Sequence, residues 1–269
     1  MPAGLPAGRA VELCYRLWNM GIAELSSSAQ DYLKVIWDLQ EWDKGPVQPT
    51  AVADRTGMKQ STVSGALGRL VDAGLVTHRP YGKVELTETG RRYAVTMVRR
   101  HRLLETFLVQ VLGYGWDEVH EEADSLEHAV SDKMVDRIDE YLGHPAADPH
   151  GDAIPSPEGD LPPIPTTTRP LSEVSAGTTV RVQRVSDEDP DFLRYLGERG
   201  IGPGCVLSVS QNRRGLISIR SEQVPAVVEE TNDGYGFIRR ADEMSDVLEL
   251  MPDQANRIQV SLLTHNESE

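Results

Sequence analysis

"PTAVADRTGMKQSTVSGALGRLVDAG", residues 49–74, decides the fold. Its first part, "PTAVADRTG", gives a short helix with Val52 and Ala53 turned inward and a stop at Gly57. The second, "KQSTVSGALGRLVDAG", spaces Val63, Leu67 and Leu70 at i, i+4 and i+7 and stops at Gly74. Two short helices joined through a glycine-containing turn make a helix-turn-helix candidate.

The flanks extend this unit. Upstream, "SAQDYLKVIWDLQEW" places Tyr32, Leu33, Ile36, Trp37 and Leu39 at helical spacing behind a run of serine N-caps. Downstream, "LVTHRPYGKVELTETG" alternates apolar and polar residues on each side of a turn at Pro80 to Gly82, which predicts a hairpin in the place of a wing. Residues 90–113 read as one long helix, and "YGWDE" leads to another from about Val119 to Leu142. Between Pro145 and Pro170 stand eight of the seventeen prolines with few large apolar residues, so an extended linker is expected. Short alternating runs beyond it predict a small β-domain, and the end of the chain reads as a loose tail. The predicted domains are an N-terminal extension (1–25), a winged helix-turn-helix (26–98), a helical domain (99–144), the linker (145–170), the β-domain (171–252) and the tail (253–269). Residues 1–19 read as a disordered extension or the product of a mis-called translation start.

A net charge of −15 argues against bulk attraction to nucleic acid or an anionic membrane, but local charge differs. Residues 49–103 hold ten Lys or Arg against four acids, so the positive segment coincides with the helix-turn-helix and wing. Lys and Arg neutralise phosphates, and the start of a recognition helix reads base edges in the major groove. Lys59, Gln60, Ser61, Thr62 and Ser64 stand at that start, and Arg79, Tyr81 and Lys83 on the wing suit backbone contacts. Winged helices also serve as protein-binding modules; the agreement of pattern and charge favours double-stranded DNA. The two cysteines, Cys14 and Cys205, form no CxxC pair, which fits a reducing cytoplasm. No apolar run approaches membrane-spanning length, and no signal peptide is legible, so a soluble cytoplasmic protein is expected.

"VHEEADSLEHAVSD", residues 119–132, concentrates histidines and acids. On a helix, Asp124, Glu127 and His128 lie along one stripe with His120 a turn earlier. His101 and Glu105, at i and i+4 on the preceding helix, can approach His120 across a hairpin. Two candidate metal clusters result: His101, Glu105 and His120; and Asp124, Glu127 and His128, which awaits a further ligand. Imidazole and carboxylate without thiolate suit Mn²⁺ or Fe²⁺, although Zn²⁺ and Co²⁺ bind such sets too. No HExxH motif, paired Glu-x-x-His motif or nucleophile elbow supports an enzyme.

With a winged helix followed by "VRRHRLLETFL" and "WDEVHEEADSLEHAVSD", the chain resembles the diphtheria toxin repressor family of metal-dependent transcriptional regulators. The piece "DPHGDAIP" and a β-domain similar to the FeoA-type, Src-homology-3-like barrel extend the resemblance from about Ser26 to Leu250. It implies an α+β multidomain fold of winged helix-turn-helix, helical dimerisation domain and small β-barrel. It also implies a homodimer that binds palindromic operator DNA when loaded with metal.

Residue by residue, the resemblance implies a primary site of Asp31, Asp124, Glu127 and His128 and an ancillary site of His101, Glu105 and His120. Glu188 and Asp191 are the implied barrel ligands. Iron-responsive members carry methionine and cysteine at the positions of Asp31 and Asp124, so the acids here resemble the manganese branch, with Fe²⁺ the alternative. Lys34 replaces a second helix-one acid of some manganese-type members, which favours two separated sites over a two-metal cluster. Gly65 replaces a recognition-helix glutamine of iron-type members, so the operator sequence is not transferable.

Overall fold

A computed structural model describes residues 25–43, 47–78, 82–213, 215–222 and 247–263. The expected N-terminal extension up to residue 24, the wing residues Arg79 and Tyr81, and the predicted strands "AVVEE" and "YGFIRR" lie outside them. The chain divides into two compact units, each described by itself.

The first unit holds Met1–His101, Asp124–Val135 and Pro155–Leu161. Helix α1 (Ser27–Asp43) is followed by α2 (Pro49–Thr56) and α3 (Gln60–Asp72), the helix-turn-helix pair. Gly57, at φ 64°, ends α2 in the left-handed region where a side chain is strained. Strands β1 (Val76–His78) and β2 (Val84–Leu86) pair antiparallel with Val76 opposite Leu86. Helix α4 (Glu88–Leu112) then begins under a threonine cap: Thr87 Oγ1 donates to the Gly74 carbonyl and accepts from Gly90 N–H. A Cβ on Gly90 would fall 1.9 Å from the Leu75 oxygen, so only glycine lets α4 start this close to the wing.

Leu33 and Ile36 from α1, Val52 from α2, Val63 and Leu67 from α3, Val84 from the wing and Met97 from α4 share one core. Each is fully buried, which stabilises by about 1.5–3 kcal/mol per large apolar side chain relative to exposure. The inward positions on α3 are those read from its i, i+4, i+7 spacing.

The second unit holds Arg102–Ala123, Asp136–Ile154 and Pro162–Glu269. Its β-domain is a six-stranded antiparallel sheet. The strands are β3 (Arg169–Pro170), β4 (Thr178–Val185), β5 (Val206–Arg213), β6 (Leu216–Ser221), β7 (Leu248–Leu250) and β8 (Ile258–Leu262), in the spatial order β3-β8-β4-β5-β6-β7. Helix α7 (Pro190–Gly197), capped by Asp189, lays Phe192, Leu193 and Leu196 on a core of Val180, Val182, Leu207, Ile219 and Val260. The expected loose tail is corrected here. Residues 252–256 form α8, and β8 pairs with both β3 and β4, because alternating "IQVSL" buries Ile258 and Val260.

Two further expectations change. The predicted helix from Val119 to Leu142 is two, α5 (Val119–Glu127) and α6 (Asp132–Leu142), since Ser131 caps the second by accepting from Met134 N–H. The proline-rich segment has little regular structure, as a linker would, but Asp148, His150, Asp152 and Ile154 are buried. Polar closure replaces an apolar core there: Asp148 Oδ1 accepts from the backbone N–H of His150 and of Asp152, both at 2.9 Å. Gly151, at φ 89°, passes so near β4 that a Cβ would sit 2.1 Å from the Gln183 oxygen.

Candidate metal centres and DNA-facing helix

In the first unit α1 and the end of α5 supply the donors. Helix α5 stops at Glu127, so His128 leaves the helical stripe on which the sequence places it and turns toward α1. Its Nδ1 lies 2.8 Å from Gln30 Oε1, and Gln30 Nε2 donates to the Leu25 carbonyl. That second bond orients the amide, so Gln30 Oε1 can only accept and His128 Nδ1 carries the hydrogen. His128 Nε2 then faces Asp31 Oδ1 at 2.8 Å. Two acceptors at that separation need a proton or a cation between them. Asp31, Glu127 and His128 offer ligand atoms within 4.8 Å of one another, an oxygen and nitrogen set that fits a hard divalent ion.

Asp124 belongs to a different set. It groups with His101 and Glu127, and the Lys34 ammonium reaches the same groups. The Nζ is 2.6 Å from Asp124 Oδ1 and 2.8 Å from Glu127 Oε1. His101 Nδ1, 2.7 Å from Glu127 Oε2, shares that carboxylate. Burial works against the Lys34 charge, but Glu127 and Asp124 outweigh it and hold its pKa above the ordinary lysine value. For Glu127, burial alone would raise the pKa; the His101 hydrogen bond and Lys34 reverse it and keep the carboxylate ionised. Asp31 is raised, because burial exceeds the opposing pull of His128.

The expected primary set of Asp31, Asp124, Glu127 and His128 is therefore split, with Glu127 common to both halves. Sequence reasoning saw in Lys34 only a missing acid. That its stem reaches Asp124, 90 positions on, is a tertiary fact with no local signal.

The second unit brings together Glu105, His120 and Asp187, with His120 Nδ1 2.9 Å from Asp187 Oδ2 and 3.3 Å from Glu105 Oε1. Burial opposes the Asp187 charge, but the His120 hydrogen bond holds its carboxyl well below the usual range. Of the expected barrel ligands, neither Glu188 nor Asp191 is in this group. Asp191 is exposed on α7 and pairs with Arg194 at 2.9 Å, and the acid that stands with Glu105 and His120 is Asp187. Residues at a strand-to-helix turn follow no period from which the sequence could tell these three acids apart.

His101, expected with Glu105 and His120, lies one helical turn before Glu105 on α4 and makes its Nδ1 contacts in the first unit. Glu105 also groups with Asp148 and His150, which sequence reasoning missed. His150 Nε2 donates to the Trp116 carbonyl at 2.6 Å, and its Nδ1 is 3.6 Å from Glu105 Oε2. Burial disfavours the His150 charge, but Glu105 and then Asp148 overcome it and raise the pKa to about 10.

On α3, Gln60, Ser61, Thr62 and Ser64 are exposed opposite the buried Val63, Ala66, Leu67 and Leu70, with Lys59 exposed at the N-cap and Lys83 on the wing. The basic segment is less available than its sequence implied. Arg99 donates to the Pro155 carbonyl, Arg100 to Asp132 and Arg102 to the Ala153 carbonyl, all from buried positions.

Comparison with known proteins identifies the kinds of domain present. Residues 24–84 match the family described as "Iron dependent repressor, N-terminal DNA binding domain". Residues 87–156 match "Iron dependent repressor, metal binding and dimerisation domain", and 169–244 match "FeoA domain". The chain is 32% identical over 206 residues to the iron-dependent repressor IdeR of Mycobacterium tuberculosis, covering 73% of this chain and 89% of that protein. A solved "Manganese-dependent transcriptional repressor complex with manganese" is 44% identical with a TM-score of 0.76, over 87% of this chain and all of that one. The manganese regulator SloR is 28% identical, with a TM-score of 0.68, over 87% of this chain and 98% of that one.

Proposed function

The chain belongs to the diphtheria toxin repressor family of metal-dependent transcriptional repressors, and on that premise we propose that manganese is the metal to which it responds. The observation that carries the choice is the donor set: Asp31 Oδ1, Glu127 Oε1 and His128 Nε2 supply oxygen and nitrogen but no sulfur. A hard, oxygen-preferring divalent ion suits them, and the 44% identical structure holds manganese.

Asp31 and His128, with Glu127 beside them, would hold the regulatory ion, which supplies positive charge between α1 and the end of α5. Gln30 fixes the His128 tautomer, and Asp31 is the ligand that comes from the DNA-binding side. Binding at these residues favours the DNA-competent arrangement only if they are closer together there than in the alternatives. Glu105, His120 and Asp187 would hold a second ion, with His101 the further ligand that family resemblance implies.

Lys59, Gln60, Ser61, Thr62 and Ser64 would enter the major groove of a palindromic operator, with Arg79, Tyr81 and Lys83 on the flanking backbone. The exposed apolar side chains of Val111, Leu112 and Tyr141 support association of two copies through the helical domain. Among the described residues no helix is long and apolar enough to cross a membrane, and a DNA target places the protein in the cytoplasm.

The test is operator binding titrated with Mn²⁺ and with Fe²⁺ under anaerobic conditions, beside a chelated control. Tighter activation by Mn²⁺ is expected. Activation by Fe²⁺ at lower free concentration would overturn the assignment and leave the family role intact.

A further inference from the structure

Lys34 contributes no metal ligand, yet its side chain stands in the middle of a ligand set. His101, Asp124 and Glu127 offer donor atoms that all lie within 4.8 Å of one another. Into this set α1 sends the Lys34 ammonium, 2.6 Å from Asp124 Oδ1, 2.8 Å from each Glu127 oxygen and 3.2 Å from His101 Nδ1. An ammonium has three N–H donors and no acceptor, and these donors are spent on the carboxylates that an ion in the same place would need. Lys34 is 7% exposed and Glu127 1%, so little water is present to screen a second positive charge.

Charge balance leads the same way. With neutral histidines, Asp31, Asp124 and Glu127 against Lys34 leave a formal −2, which one divalent ion cancels. A second would leave an uncompensated +2 against the buried Lys34 and Glu127. We propose that Lys34 is a tethered cation holding the place of a metal ion among His101, Asp124 and Glu127, so that this junction takes one divalent ion, at Asp31, Glu127 and His128; this rests on that trio being a metal site. The same ammonium ties α1 to α5 whether or not the ion is bound.

Replacing Lys34 by glutamate would convert the formal −2 into −4, which two divalent ions balance. The experiment uses the full chain carrying His120→Ala, which disables the second cluster, and compares it with the same chain carrying Lys34→Glu in addition. Mn²⁺ bound after dialysis is counted by elemental analysis, and low-temperature electron paramagnetic resonance separates an isolated Mn²⁺ from an exchange-coupled pair. One ion per chain with an isolated-ion spectrum is expected with Lys34 present, and two ions with a coupled spectrum after Lys34→Glu. Two ions with Lys34 intact, or one ion in a folded Lys34→Glu chain, overturns the proposal; the first result needs no substitution at Lys34. Asp31→Ala in the same background tests the trio separately. If that change leaves the single ion in place, the trio assignment fails whatever Lys34 does.

Discussion

His128 Nε2 stands 2.8 Å from Asp31 Oδ1, although the two residues are 97 positions apart. The contact joins α1, which precedes the helix-turn-helix, to the residue that follows α5. It exists because α5 stops at Glu127 and releases His128 from the helical stripe. An ion held by this pair, as proposed, would report on the arrangement of α1 and α5.

Asp31→Ala is therefore expected to leave the fold intact, since the Asp31 side chain is about half exposed and exposed substitutions usually change stability by less than about 0.5 kcal/mol. Mn²⁺-dependent binding to an operator duplex recovered by in vitro selection should be lost. Fluorescence anisotropy reads the result, and Mn²⁺-dependent affinity equal to wild type would remove Asp31 from the mechanism.

Gln30→Leu tests the tautomer argument. Without the Gln30 acceptor, His128 Nδ1 loses the partner that keeps Nε2 available toward Asp31. Loss of such an outer partner typically costs about 10–100-fold in metal affinity. Calorimetric titration with Mn²⁺ gives the number, and a change under about 3-fold would mean that the ring is held without Gln30, against the outer-partner expectation.

The parts of this molecule that repeat with a helical or strand period were legible in the sequence. Val63, Leu67 and Leu70 gave α3 its inner face, and Gly57 and Gly74 marked the ends of α2 and α3. His101, Glu105, His120, Asp124 and Glu127 stood out as candidates because helices carry them at regular spacing, and His128 stood out beside them although α5 ends one residue before it. Lys34, Asp187 and His150 were not assigned to sites for a shared reason: what places them is a long-range contact or a turn, and neither leaves a period. The break after Glu127 was missed because "EHAVSD" keeps helical composition while Ser131 caps the next helix.

Lys59→Ala should weaken operator and non-specific DNA alike. Lys59 is exposed at the N-cap of α3, where it suits a phosphate contact. Removing one such contact lowers the slope of log K against log salt by about 1. Thr62→Ala, deeper along the exposed face, should instead change preference among operator variants. An unchanged salt slope in Lys59→Ala would place that side chain off the DNA.

His150 predicts a pH dependence of the metal-free protein. Its folded pKa of about 10 lies above the ordinary 6.5 because Glu105 and Asp148 overcome the effect of burial. The folded state then holds the extra proton, so the stabilisation is complete below about pH 6.5 and is lost as pH rises through about 10. Urea unfolding in chelator should show stability falling across that window, and His150→Gln should flatten the slope. Parallel curves for the two proteins would assign the pH dependence to other groups.

Asp187 and Asp191 separate two readings of the segment that runs from β4 into α7. Asp187 Oδ2 is 2.9 Å from His120 Nδ1, whereas Asp191 is exposed and paired with Arg194. Asp187→Asn should weaken the second ion and lower operator affinity only in part, because Asp31, Glu127 and His128 would, as proposed, still hold the first. Asp191→Asn should do neither, since an exposed ion pair contributes about 0–1 kcal/mol and touches no donor of the cluster. Mn²⁺ counted per chain in an Asp31→Ala background isolates the second site. Loss of that ion on Asp191→Asn but not on Asp187→Asn would restore the register that the sequence alone suggested.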